Sequence, residues 1–213
     1  MRRLLFALAA CLFAATTLSA QQQTRPLAPA LRPYTTCKLQ GGPDLVEVTP
    51  LVTPKSVRTV QTRQGNKQIQ LLDGARLVFS YADSDLFATA KIEELPAASY
   101  AQSKDDLISN FEKILSSDDL AGRNYGMQPT MHGFEIYGLD KKMLTGSNLG
   151  IYVMFDNNTH VVTTMYFLNA EAEHRKFATL AEYAGLRDVF LSKYTACVRA
   201  KLSAPAATPP ARR

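Results

Sequence analysis

The residues best equipped for nucleophilic, redox or metal chemistry are few: Cys11, Cys37 and Cys197 among the cysteines, and His132, His160 and His174 among the histidines. Cys37 and Cys197 lack the Cys-x-x-Cys spacing that makes thiols reactive, which argues against redox catalysis. In an oxidising compartment they are expected to pair as a structural disulfide, with unpaired or intermolecular thiols as the alternative. A bond closing a loop of about 160 residues is valued by the chain-entropy model at about 5 kcal/mol at most. The histidines form no His-Glu-x-x-His helix and no dense ligand spacing, so no metal and no general base is expected from them. His160 is read as a strand-end residue facing Phe155.

The remaining candidates are weaker. In Gly146-Ser147-Asn148-Leu149-Gly150 the serine directly follows the first glycine, one place too early for a Gly-x-Ser-x-Gly nucleophile elbow, so the stretch reads as a glycine-bearing entry to a strand. Asp118-Asp119 and Glu93-Glu94 are acidic pairs of a kind that marks solvated loops or element ends. Tyr137, Tyr152, Tyr166, Tyr183 and Tyr194 lie in apolar surroundings where core packing is the plain reading. The alternative is an amphipathic ligand pocket at a sheet edge, lined by Tyr137, Tyr152 and Tyr166. No catalytic residue and no cofactor is expected.

These residues must be positioned by something, and the organising stretch is Leu149–Leu168, two strands joined by Asp156-Asn157-Asn158-Thr159. Asn157 and Asn158 tolerate the positive φ of a tight primed turn, which predicts Phe155 opposite His160, Val153 opposite Val162, Ile151 opposite Thr164 and Leu149 opposite Tyr166. Tyr152, Met154, Val161, Thr163, Met165 and Phe167 then form the other face, and a hairpin apolar on both faces needs cover on both.

Two amphipathic helices can supply it. One is expected from Ser103 as N-cap, with Asp105 and Asp106 in its first turn and Leu107, Ile108, Phe111, Ile114 and Leu115 at helical spacing. The other opens at the capping box Thr179 to Glu182 and sets Tyr183, Leu186, Phe190, Tyr194 and Cys197 in one stripe with Val189 beside it. Gly185 weakens that helix, which suggests close packing on the sheet. Further strands are expected at Val57–Arg63 and Lys67–Leu72 around a Gln64-Gly65-Asn66 loop, at Arg76–Ala82 and Leu86–Glu93 around Asp83-Ser84-Asp85, and at Phe134–Leu139. The sum is an α+β chain with a largely antiparallel sheet of about seven strands, order ββββ-α-βββ-α, and a helix on each face.

Residues 1–20 carry Arg2 and Arg3, a short apolar run and a small-residue ending, the pattern of a secretory signal peptide cut between Ala20 and Gln21. Leu8-Ala9-Ala10-Cys11 resembles a lipobox, and lipid attachment at Cys11 is the alternative. Residues 21–36 and 203–213, rich in Gln, Ala and Pro, read as disordered flanks of one domain spanning 37–202. Of 24 basic residues, Arg2, Arg3, Arg212 and Arg213 belong to the ends, leaving 20 against 19 acidic, which gives no reason to expect a nucleic-acid partner. No segment is long and apolar enough for a transmembrane helix. From Val57 to Leu202 the element order resembles the PsbP-like fold of DcrB-type envelope proteins, which implies helices over both faces of an antiparallel sheet. The expectation is a periplasmic or secreted, non-catalytic binding or accessory module with a protein or small-molecule partner. Its rivals are a secreted hydrolase with catalytic residues dispersed in sequence, and a lipid-anchored accessory protein.

Overall fold

The computed structural model describes residues 26–51, 56–81, 86–115, 124–142, 148–169 and 180–204. In chain order these form strands β1 (Asp44–Pro50), β2 (Val57–Thr62), β3 (Gly65–Gln70), β4 (Asp73–Ser80) and β5 (Leu86–Glu94), then helix α1 (Tyr100–Leu115). Strands β6 (Asn124–Met131), β7 (Phe134–Lys142), β8 (Asn148–Asp156) and β9 (Val161–Asn169) follow, and helix α2 (Leu180–Ser203) is the last described element. The expected leader, the residues beyond 204, Asp118-Asp119, Gly146-Ser147, His174 and Thr179 of the expected capping box lie outside the described residues.

Seven strands make one antiparallel sheet in the order β1-β4-β5-β9-β8-β7-β6, while β2 and β3 pair with each other in a separate two-stranded sheet. The sequence pattern predicts neither edge strand. β1 ends in Pro50 and carries mostly exposed side chains, and β6 contains Gly126 and Pro129. Such residues blunt apolar alternation, and an edge is where a sheet tolerates proline.

The β8–β9 hairpin is the sheet's centre, but its turn is longer than expected. His160, and neither Asn157 nor Asn158, takes the positive φ, at 57°. The turn closes through the His160 amide donating to the Asp156 carbonyl at 2.9 Å. Phe155 therefore pairs with Val162, Val153 with Thr164, Ile151 with Tyr166 and Leu149 with Leu168, a register displaced by two residues. Because side chains alternate with a period of two, an even displacement changes partners and preserves faces.

The two faces feed two separate cores. Tyr152, Met154, Val161, Met165 and Phe167 join Leu77, Phe79, Phe87, and Tyr183, Phe190, Leu191, Tyr194 and Val198 of α2. There the Phe190 ring meets Phe79, Phe87 and Phe167 edge-on, with centroids 5.0, 5.2 and 5.8 Å away. Edge-to-face contact is a preferred geometry for aromatic pairs. Val153, Phe155 and Val162 join Leu107 and Phe111 of α1, Val60 and Ile69 of the small sheet, and Leu71 just beyond it. Gly138, opposite Tyr152 in β7, leaves the room that the Tyr152 ring fills; a Cβ there would strike the ring.

Several local expectations need correction. α1 starts at Tyr100, continuing a 3-10 turn Ala97–Ser99 that follows Pro96, so Ser103 is a buried residue of the first helical turn and not its N-cap. On α2 the buried stripe takes in Leu191 and Val198, leaving Leu186 and Cys197 half-buried and Val189 52% exposed. Gly185 has nothing within 4 Å of where a Cβ would stand, so it does not pack against the sheet. The β2–β3 turn is the two-residue Arg63-Gln64, with Gly65 already paired to Thr62.

The largest correction concerns the flank read as disordered through residue 36. Pro29–Thr35 forms a 3-10 helix whose Leu31 and Tyr34 are wholly buried. Cys37 is bonded to Cys197 with Cα atoms 5.9 Å apart, which fastens this segment to α2. Tyr194 Oη donates to the Tyr34 carbonyl at 2.9 Å, and the Ala28 amide to Asp73 Oδ2 at 2.8 Å.

Candidate functional site

Among the described residues two places gather polar groups, and their chemistry differs. The first is the end of the sheet at the β8–β9 turn. Asp156, wholly buried, accepts from Tyr34 Oη (3.1 Å), Thr159 Oγ1 (2.9 Å), the Asn158 amide (3.1 Å) and Arg199 Nη2 (3.3 Å). Arg199 also donates to the His132 carbonyl at 2.9 Å and lies over the Phe134 ring. Burial pushes the Tyr34 phenol far above its ordinary range, so it stays protonated and can only serve as a neutral donor to Asp156. On the other side of the turn Lys104 Nζ donates to Glu135 Oε2 at 2.6 Å and to Asn157 Oδ1 at 3.2 Å, and Tyr100 Oη donates to Asn157 Oδ1 at 3.1 Å. The Lys104 hydrogen bond holds the Glu135 carboxyl below its usual range. With four donors Asp156 is fully satisfied, and such a saturated network ties elements together without leaving a lone pair for a substrate.

The second place is a cleft on the sheet face that carries α1 and the small sheet. Those elements lie over Phe155, Val162 and Val153, and beyond them Ile151, Thr164, Tyr166, Thr89, Lys91 and Arg76 continue the same face. Tyr166 is 40% exposed there. A cavity of about 140 Å³ runs beneath Arg58, Asn110 and Phe111 to Ile151, Thr164 and Tyr166. A second, of about 210 Å³, is lined by Leu51, Arg76, Thr89, Ala90, Lys91 and Tyr166. Tyr166 lines both, so the two adjoin at its side chain.

The charge in this cleft is uneven. Glu93, 1% exposed, has Arg58 Nη1 2.6 Å from Oε2 and Lys91 Nζ 2.6 Å from Oε1. A buried carboxylate needs such partners, and its two cations reach solvent at the cleft wall. Arg76 stands directly opposite Lys91 in the β4–β5 ladder and, among the described residues, has no acidic partner. The lining includes no histidine or cysteine. What the arrangement can do is hold a molecule with an apolar body and a negative group.

Of the tyrosines assigned to one pocket, the fold brings only Tyr166 to the cleft. Tyr137 shares its face but sits edge-on to Phe155, with centroids 5.9 Å apart. Tyr152 points to the opposite core, 3% exposed, with Arg187 over its ring. The three-tyrosine pocket is therefore corrected to a cleft centred on one. Glu93 and Glu94 occupy opposite sides of their strand and do not act as a pair; the Glu94 carboxyl is pushed up chiefly by burial and then by Asp73, with His160 opposing. His132 is exposed at the β6–β7 turn with φ 49°, and His160 packs on Tyr100 with centroids 4.8 Å apart, not opposite Phe155. Among the described residues no group of three His, Cys, Asp or Glu is placed to hold a metal ion, and no helix is long and apolar enough to cross a membrane.

Sequence reasoning missed Arg58, Arg76 and Lys91 because each is an ordinary strand cation until the strands are paired. No family model, curated protein or solved structure matches this chain.

Proposed function

We propose that the protein is an exported, non-catalytic binding module that holds a small ligand in the cleft around Tyr166. The observation that carries this is the pair of cavities meeting at the half-exposed Tyr166 on the sheet face. Pockets for small ligands are typically concave, mostly apolar and furnished with a few placed polar groups, and this cleft has that make-up. Export is supported by the leader-like residues 1–20 and by the Cys37–Cys197 bond, since disulfides persist in oxidising compartments. In this reading α2 and the 3-10 segment Pro29–Thr35 together cover one face of the sheet, and α1 with the small sheet covers part of the other, the remainder being the site. The element order is then a variant of the PsbP-like arrangement with an added strand in each run. Intact mass of the exported chain tests the leader: a start at Gln21 is expected, and an acylated Cys11 contradicts it.

Binding is tested by a thermal-shift screen of small amphiphiles against the mature protein and its Tyr166→Ala variant. Compounds that raise the melting temperature of the wild type and not of the variant are expected. Equal shifts for both proteins would move the site elsewhere. Turnover of ester, peptide, glycoside or phosphate substrates by the purified protein would make it an enzyme.

A further inference from the structure

The cleft's charges specify more than binding. Arg76 and Lys91 face each other across adjacent antiparallel strands, where like charges are unfavourable and opposite charges are the stabilising arrangement. Lys91 leans away to Glu93, and Glu93 is shared with Arg58, so a single buried carboxylate serves two cations while Arg76 has no acid among the described residues. Around Tyr166 there are thus three cations and one anion, and the anion is 1% exposed. The rest of the folded chain is close to neutral, so this local excess is not part of a general basic surface. A local rule broken without compensation inside the fold is the kind of feature a bound partner explains.

Resting on the binding reading above, we infer that the natural ligand is an amphipathic anion: a carboxylate or phosphate head set between Arg76 and Lys91, with a short aliphatic or aromatic body on Tyr166 and Leu51 and reaching toward Phe111 and Ile151. The head makes charge-assisted contacts with Arg76, whose planar fork suits both carboxylate and phosphate. Cavities of about 210 and 140 Å³ suit a body of one ring or a short chain. Three cations are too few to hold a nucleic acid, which is bound through many phosphates.

The test compares octanoate and octyl phosphate with the neutral isostere octanol, following backbone amide shifts of the mature protein. At least one anion is expected to bind about tenfold more tightly than octanol, in line with a charged hydrogen bond. Because Arg76 is exposed and carries no part of the core, Arg76→Gln should stay folded, and the anion's advantage over octanol, both measured on that variant, should disappear. Raising the salt concentration should weaken the anion alone. Equal affinity of anions and alcohol, or full retention of the preference in Arg76→Gln, overturns the inference and leaves the binding reading standing. If neither anion binds while neutral compounds occupy the cleft, the ligand class is wrong. If no compound shifts the amides around Tyr166, both readings fall.

Discussion

Asp156→Ala removes the acceptor on which the 3-10 segment, the β8–β9 turn and α2 converge. The wild-type carboxylate is wholly buried and takes four donors, Tyr34, Thr159, the Asn158 amide and Arg199. Hydrogen bonds to charged groups contribute about 1.5–3 kcal/mol each, yet their full sum will not be lost. Tyr34 and Thr159 keep each other at 3.2 Å, and Arg199, 23% exposed, can turn to water. A loss of about 3 kcal/mol follows, at the low end for breaking a buried pair. At about 2–4 °C per kcal/mol for a domain of this size, the melting temperature should fall by about 6–12 °C. Chemical denaturation of wild type, Asp156→Ala, Tyr34→Phe and the double variant separates the contributions. Tyr34→Phe should cost about 1–2 kcal/mol alone and well under that in the Asp156→Ala background, since contacting residues couple. Strict additivity, or an Asp156→Ala variant within about 1 kcal/mol of wild type, would refute the idea that this network fastens the N-terminal segment.

Three further outcomes are expected. Replacing Cys37 and Cys197 by serine should lower stability by about 2–5 kcal/mol, and non-reducing peptide maps of the wild type should contain the linked pair; free thiols on both would contradict the bond. Val153→Asp and Met154→Asp should each destabilise severely, because the two side chains lie in different cores at 8% and 1% exposure; a neutral effect at either would mean that face is open. Lys104→Met should raise the Glu135 titration midpoint toward 4.5, seen by carboxyl NMR. Because the folded-state value is depressed, the stabilisation from ionised Glu135 is present above its ordinary range and lost as pH falls through the lowered value, so Lys104→Met should cost less in acid than at neutrality. An unmoved midpoint would rule out Lys104 as the cause.

How much of this was legible depends on the physical range of each determinant. The assignment of Val153, Phe155 and Val162 to one face of the hairpin and Tyr152, Met154 and Met165 to the other follows from alternation alone, and it survives the turn being misjudged. The register does not follow, since it was set by His160 taking the positive φ expected of Asn157 and Asn158. Leu31 and Tyr34 were hidden among Pro and Ala, a composition that signals disorder unless distant residues such as Asp156 and Cys197 supply partners. For the site, Tyr166 could be singled out by type, whereas the opposition of Arg76 and Lys91 exists only once β4 and β5 are in register. The reach of Arg58 to Glu93 depends on a small sheet packing on a large one, a long-range arrangement that no local pattern encodes.

The most direct measurement of the central claim is a backbone amide shift map of the mature protein titrated with an anionic amphiphile such as octanoate, repeated on Tyr166→Ala. Tyr166 is 40% exposed, so its truncation should leave the fold intact and change stability by no more than about 1 kcal/mol. The expected map centres on Thr164 to Tyr166 and Thr89 to Lys91, and it collapses in the variant. Saturable shifts centred instead on the Asp156 turn, or a map unchanged by Tyr166→Ala, would contradict the assignment of the cleft as the binding site.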